Sequence, residues 1–318
     1  LARAVKAPFP RSSSPQLATL SKQVPAGNDW LHEIKHDGYR ILATLREGEV
    51  KLLSRGGLDW TEKLPRLAAA VKKLPAREAV LDGEMVILRP DGTSDFQALQ
   101  RTIGGAHPAG LTYYLFDVLY GDGYDLRRVP LAERKEVLRA LLEGASEPLR
   151  YSDHVRGNGP AVFAQACALK AEGILSKLAT SLYEPRRTRT WLKIKCARRQ
   201  EFVVVGYTEP EGSRTGFGAL LLGFYDDEGR LVFSGQVGTG FNEETLSDLT
   251  SRLESIERSG SPLHSTPRDV FRGAHWVEPE LVAEVEFTEW TGDGRLRHPS
   301  FKGLRFDKPA KDVKRELE

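Results

Sequence analysis

The stretch Trp30-Leu31-His32-Glu33-Ile34-Lys35-His36-Asp37-Gly38-Tyr39-Arg40 sets apolar Leu31 and Ile34 beside charged Glu33 and Lys35 and then stops at Asp37-Gly38. Such alternation marks a half-buried strand, and Asp-Gly is a turn dipeptide. Lys35 therefore closes a strand beside a turn. A lysine fixed there and partly desolvated gives up some preference for the charged form, which frees a lone pair for attack. A solvated strand-end lysine is the ordinary reading of four residues alone. The weight rests on what the rest of the chain supplies.

Outward from this strand, residues 40–45 and 50–55 flank Glu47-Gly48 as a hairpin, and 61–73 carry Leu64, Leu67, Ala68 and Val71 at helical spacing. Residues 79–88 read as two strand pieces around Asp82-Gly83, and 111–119 as a buried strand broken by Asp117. Helices are expected at 95–101, 131–143 and 160–171. Residues 1–28, rich in Pro and Ser, read as an arm without a period. After Lys195 the texture changes to short strands near 202–207, 219–225, 231–237, 281–287 and 294–297, with one helix at 243–257. That set fits a small closed OB-type barrel. The fold class is thus α+β: antiparallel sheets with flanking helices over 1–198, then an OB-fold β-barrel over 199–318.

Composition bounds the rest. The 318 residues are 40% hydrophobic and 28% charged, with net charge +2, which suits about two globular domains. No apolar run reaches the roughly 20 residues that span a bilayer, so no membrane is expected. No signal-peptide core opens the sequence. The two cysteines, Cys167 and Cys196, form no short pair and have no histidine pattern beside them. The expectation is a reduced, cytoplasmic protein with neither a zinc site nor a disulfide framework.

Three further segments carry charge where Lys35 needs it. Glu84 stands in Leu81-Asp82-Gly83-Glu84, just past a turn, and Glu172 opens Glu172-Gly173-Ile174-Leu175-Ser176-Lys177. In Trp191-Leu192-Lys193-Ile194-Lys195, alternation puts Lys193 and Lys195 on one strand face. Two like charges there repel unless an anion lies between them, and a polyphosphate suits. Each segment taken singly is as well explained by solvation.

In order, Lys-x-Asp-Gly, Ser54-Arg55, Asp-Gly-Glu, Phe116-Asp117, Glu-Gly-Ile-Leu-Ser-Lys and Lys-x-Lys resemble the motif series of covalent nucleotidyltransferases: ATP-dependent DNA ligases, RNA ligases and mRNA capping enzymes. Residues 29–35, Ser54-Arg55-Gly56-Gly57-Leu58-Asp59-Trp60-Thr61, 191–196 and Leu296-Arg297-His298-Pro299-Ser300-Phe301-Lys302-Gly303-Leu304-Arg305 resemble the ligase module of bacterial end-joining ligases of the ligase D type. The resemblance runs from about Pro15 to Pro309. It departs at 184–188, where that family often has Pro-Gly and a serine, and at His36, where tyrosine is common.

The resemblance implies an ATP-dependent DNA ligase that joins 3′-hydroxyl and 5′-phosphate ends through a lysyl-AMP on Lys35. Lys193 and Lys195 hold the α-phosphate. Glu84 and Glu172 take Mg²⁺ or Mn²⁺, with Glu84 also near the ribose, because a few carboxylates plus phosphate oxygens satisfy such a cation. Glu33 accepts from the adenine amine and meets the O6 acceptor of guanine unfavourably, which selects ATP over GTP. Phe116 stacks on the purine, Arg40, Arg55 and Lys177 line the nucleotide site, and Arg305 and Lys308 neutralise pyrophosphate. Those last two visit the site by a swivel about 195–201. Arg186, Arg187, Arg189, Arg198 and Arg199 supply sequence-independent phosphate contacts. Implied partners are nicked or broken double-stranded DNA, a Ku-type end-binding protein, and separate polymerase or nuclease proteins. An RNA ligase, a capping-type guanylyltransferase and a silent DNA-binding module are the competing readings.

Overall fold

The computed structural model describes residues 3–11, 13–90, 92–103, 110–210, 215–267, 270 and 273–316. The chain forms two compact units, with the break between Cys196 and Ala197.

The first unit is built from two sheets. One has the order Val5–Lys6, Tyr124–Asp125, Leu111–Gly121, Glu78–Ile87, Tyr39–Arg46, Glu49–Ser54, with Leu149–Tyr151 added in parallel to Leu111–Gly121. The other has the order Val155–Arg156, Trp30–Lys35, Gly173–Leu178, Arg187–Lys195, Leu17–Leu20. Leu31 from the second sheet and Leu42, Val80, Phe116 and Leu119 from the first meet in one buried cluster with Tyr183 and Trp191. The core therefore lies between the sheets, and strand alternation decides which side chains enter it.

Several expected elements gain or change bounds. Glu78–Ile87 is one continuous strand, and the Asp82-Gly83 dipeptide appears in it as a register shift against Leu111–Gly121. Gly83 is held there because a Cβ would fall 2.5 Å from the Tyr113 ring. Asp82 and Asp117, which would otherwise break buried strands, are each neutralised by an arginine: Arg40 Nη2 donates to Asp82 Oδ2 at 2.6 Å, and Arg134 is bidentate on Asp117 at 2.7 and 2.8 Å. The proline-rich arm contains an ordered strand, Leu17–Leu20, parallel to Arg187–Lys195, with Gln16 buried against Thr188. No period marks a four-residue edge strand, so sequence alone cannot see it.

Helix Gly159–Ala168 covers the back of the second sheet, where Ala166 packs on Ile174 and Ile194. This packing corrects the expectation of reduced thiols. Cys167, at the end of that helix, is disulfide-bonded to Cys196, the residue after strand Arg187–Lys195, with Cα atoms 5.4 Å apart. A sequence separation of 29 residues hides the pair, because only the docking of helix on sheet brings the two together. Closing a loop of that length stabilises by about 3–4 kcal/mol through the unfolded state. Reduction with dithiothreitol is thus expected to lower the melting temperature of the first unit by roughly 10 °C, read by calorimetry. Cys167→Ser should match the reduced protein and lose sensitivity to the reductant.

The second unit centres on Arg198–Thr208, which pairs with Leu220–Tyr225, Ala274–Val277 and Val282–Phe287; Leu231–Val237 and Ser300–Leu304 extend the two sides. Phe202 and Val204 enter one core with Leu249, Leu253, Val285 and Phe301, while Val203 and Val205 enter a second with Trp276 and Val282. The unbroken apolar run of this strand follows from burial on both faces. Helix Glu243–Ser255 starts at Asn242, whose side chain accepts from Thr245 N at 2.8 Å. Among the described residues the strand path stays open rather than closing as a barrel; bonds from Phe301 N to Thr239 O, 2.9 Å, and from Thr239 Oγ1 to Pro299 O, 3.0 Å, join the segment just past Leu231–Val237 to the start of Ser300–Leu304. No helix of the described residues is long and apolar enough to cross a membrane.

Candidate active site

Register places the charged residues of the second sheet. Lys35 lies opposite Gly173, which lies opposite Lys195; Glu33 lies opposite Leu175, which lies opposite Lys193. Directly opposed residues share a face, and so do residues two apart. Glu33, Lys35, Lys177, Lys193 and Lys195 are therefore on one face, toward the core. Ile34, Ile174 and Ile194 are on the other, against helix Gly159–Ala168. The middle member of the Lys35–Lys195 row has no side chain. Two inter-strand spacings, roughly 10 Å, thus separate the two lysine backbones, and the slot at Gly173 between them is a row position without a side chain. Gly173 is obligatory: its φ is +153°, and a Cβ would fall 2.0 Å from Ile194 O.

Lys35 Nζ donates to Glu172 Oε2, and the Glu172 side chain is 4% exposed. Glu172 itself is fixed by its backbone, whose carbonyl accepts from Cys196 N at 2.9 Å. The turn after Lys35 packs onto the other sheet, since a Cβ on Gly38 would lie 2.2 Å from Met85 O. That contact, with Arg40 opposite Glu84 in register, carries Glu84 to the neighbourhood of the nucleophile turn. His36 stacks on Tyr114, centroids 3.9 Å apart; burial, with further lowering from the nearby lysines, brings its pKa down to about 4 and keeps the ring neutral.

Glu33 is the most constrained of the group. Its carboxylate accepts from Lys135 Nζ (2.7 Å), Lys177 Nζ (2.8 Å) and Ser152 Oγ (3.0 Å). Burial acts to raise its pKa, but Lys135 and Lys177 override this and hold it at about 2. Burial brings Lys177 down to about 8, against the opposing pull of Glu33. Lys135 was missed in sequence because Glu133-Arg134-Lys135-Glu136 reads as the solvated face of an amphipathic helix. In fact Arg134 and Lys135 are both 0% exposed.

Three nucleotide assignments change character here. Phe116 is 3% exposed; Arg40 Cζ and Lys177 Nζ sit 4.5 and 4.0 Å from its ring centroid, and Trp191 meets it edge-on. Arg40 is tied to Asp82, and Lys177 to Glu33. Phe116, Arg40 and Lys177 thus form a closed cation–aromatic layer instead of offering an open stacking face. The reason is that buried cations must find partners, and in this fold a carboxylate and a ring face provide them. Arg55 is half-buried on the loop after Glu49–Ser54, closed by Gly57 N to Ser54 O at 2.9 Å. In the second unit, Arg305 pairs with Asp307 (2.8 Å) and Glu284 (3.1 Å), and Lys308 with Glu201 (2.6 Å).

The described residues contain no cluster of three or more potential metal ligands. Glu84 and Glu172 fit a hard divalent cation that arrives with phosphate oxygens, since Mg²⁺ needs only one or two protein carboxylates then. They do not make an all-protein cage.

The chain as a whole is similar to known proteins. Residues 15–195 match the family model described as ATP dependent DNA ligase domain, and 213–308 that of the ATP dependent DNA ligase C terminal region. The multifunctional non-homologous end joining protein LigD of Pseudomonas aeruginosa is 45% identical over 312 residues, 97% of this chain and 37% of the relative. The Mycolicibacterium smegmatis protein of the same name is 37% identical, covering 96% of this chain and 40% of the relative. The chain therefore spans well under half the length of these relatives. A solved structure described as mycobacterial DNA ligase D complexed with ATP and MES is similar with a TM-score of 0.71 at 34% identity, covering 96% of this chain and 98% of that one.

Proposed function

Since the chain belongs to the ATP-dependent DNA ligase family, we propose that it seals 3′-hydroxyl/5′-phosphate breaks in duplex DNA through a covalent lysyl-AMP on Lys35, in the repair of broken ends. An adenylation domain followed by an OB-fold domain is the architecture of that family. The single observation that carries the mechanism is the row Lys35–Gly173–Lys195, with Glu172 on the Lys35 ammonium.

Lys35 attacks the α-phosphorus of ATP and pyrophosphate leaves. The 5′-phosphate of the break then attacks that phosphorus, breaking its bond to Lys35 Nζ and releasing the lysine amine, and finally the 3′-hydroxyl attacks the activated 5′ end and AMP leaves. Such transfers depend on in-line positioning and on cations at the phosphoryl oxygens. Glu172 orients Lys35 and can accept its proton. Lys195 and Lys193 face the slot over Gly173 and neutralise the α-phosphate. Glu33, ionised, accepts from the adenine amine, and the Phe116–Arg40–Lys177 layer backs that pocket. Glu84 and Glu172 would hold a Mg²⁺ or Mn²⁺ ion, which supplies charge stabilisation to the phosphates when bound. Arg305 and Lys308 serve pyrophosphate by exchanging Asp307, Glu284 and Glu201 for it, and Arg55 engages the DNA 5′-phosphate. A Ku-type protein and separate processing enzymes are the partners this reading expects.

The purified protein, given ATP and Mg²⁺ or Mn²⁺, is expected to gain the mass of AMP and to seal a nicked duplex, with labelled GTP giving little adduct. No sealing by the wild-type protein under either metal overturns the reading.

A further inference from the structure

Two lysines on one buried carboxylate is more cation than charge balance requires. Lys177 belongs to the same sheet as Glu33, so its proximity is a product of register. Lys135 comes from helix Leu131–Leu141, a separate element, and its side chain is wholly buried. Beyond Glu33 it donates to Ser152 O at 3.0 Å and lies 4.8 Å from the Tyr151 ring centroid. Ser152 in turn donates its hydroxyl to Glu33 Oε2. Burying an ammonium costs several kcal/mol unless it is fully partnered. Its place in this cluster therefore points to a task at Glu33.

The division of partners between the two oxygens shows what that task is. Oε2 carries Lys177 and Ser152, which fills its two lone-pair sites; Oε1 carries Lys135 alone. A carboxylate has about four acceptor positions, so one remains, on Oε1. An amine reaching Glu33 must use that position.

We propose that Lys135, assisted by Ser152, is a positioning residue for base selection: it locks the Glu33 carboxylate so that one acceptor, and no donor, faces the purine. The proposal rests on Glu33 reading the base, as set out above. Without Lys135 the carboxylate can rotate, and burial, which already acts to raise its pKa, is opposed by one lysine instead of two. A protonated Glu33 presents an O–H, which suits the O6 acceptor of guanine. Selectivity then falls and becomes dependent on pH.

The test measures kcat/KM for lysyl-nucleotide formation with labelled ATP and GTP in the wild type, Lys135→Met and Ser152→Ala. Lys135→Met is expected to cut the ATP/GTP ratio by about tenfold or more, with the ratio falling further from about pH 7 to about pH 5.5; the wild-type ratio stays flat over that range, which lies below the Lys177 transition at about 8 and above that of His36 at about 4, with burial holding His154 toward its neutral form. Ser152→Ala should lower the ratio several-fold and carries the test should Lys135→Met not fold. Equal losses with both nucleotides, leaving the ratio unchanged while wild-type protein still forms its AMP adduct, overturn this inference alone. Failure of the wild type to form an adduct overturns the parent reading and this one with it.

Discussion

Lys35→Ala is expected to abolish the covalent AMP adduct, lowering its rate of formation by roughly 10⁴-fold or more, the scale of losing a nucleophile. Lys35→Arg should fail equally. A guanidinium keeps the charge and the contact with Glu172 but cannot release a proton to become a nucleophile. The pair thereby separates nucleophilicity from charge. Lys35→Arg should melt near the wild type, because Lys35 sits at the rim of the core and not within it, with a side chain 21% exposed, and the arginine keeps a cation on Glu172. Both variants should still seal a nick supplied with a pre-adenylylated 5′ end, since the last step needs no lysine nucleophile. An adduct on the alanine variant, mapped by mass spectrometry to another residue, would move the chemistry off this strand.

Gly173→Ala carries the second large effect. The position needs a positive φ, and the added methyl would lie 2.0 Å from Ile194 O and 2.8 Å from Lys195 Cα, both backbone atoms. Backbone cannot swing aside as a side chain does, so the strands must part by about an ångström. Displacements of that size at a phosphoryl-transfer site cost about 10²-fold, and the strained conformation adds on the order of 1–3 kcal/mol of destabilisation. Adduct formation is therefore expected to drop by two orders of magnitude, with a lowered melting temperature. Gly121→Ala is the control: φ there is not positive, nothing lies within 4 Å of the added methyl, and activity should be retained. Wild-type rates for Gly173→Ala would show that the spacing of Lys35 and Lys195 is not what sets the slot.

How much of this was legible beforehand varies with the range of the interaction. Lys35 at a strand end, the hairpin after it and the shared face of Lys193 and Lys195 follow from alternation and turn chemistry, which are local. The order of motifs was legible for the same reason, as each is a short run whose spacing the chain itself fixes. Strand Ser300–Leu304 was read as a motif but not as a strand. Ala274–Val277 was not read at all, because four residues carry too little period.

The sequence by itself determined which residues carry charge beside Lys35, which strand ends in the nucleophile, and the α+β class of a chain whose texture changes after Lys195. Tertiary structure alone decided the partners: Glu172 on Lys35, Lys135 and Ser152 on Glu33, Arg40 and Lys177 over Phe116, and Cys167 bonded to Cys196. The physical reason is burial. A charged residue removed from water must be neutralised by whatever the fold brings within 3 Å or so, and that neighbour lies anywhere in the chain. Local pattern therefore tells what a side chain can do, and packing tells what it is held against while doing it.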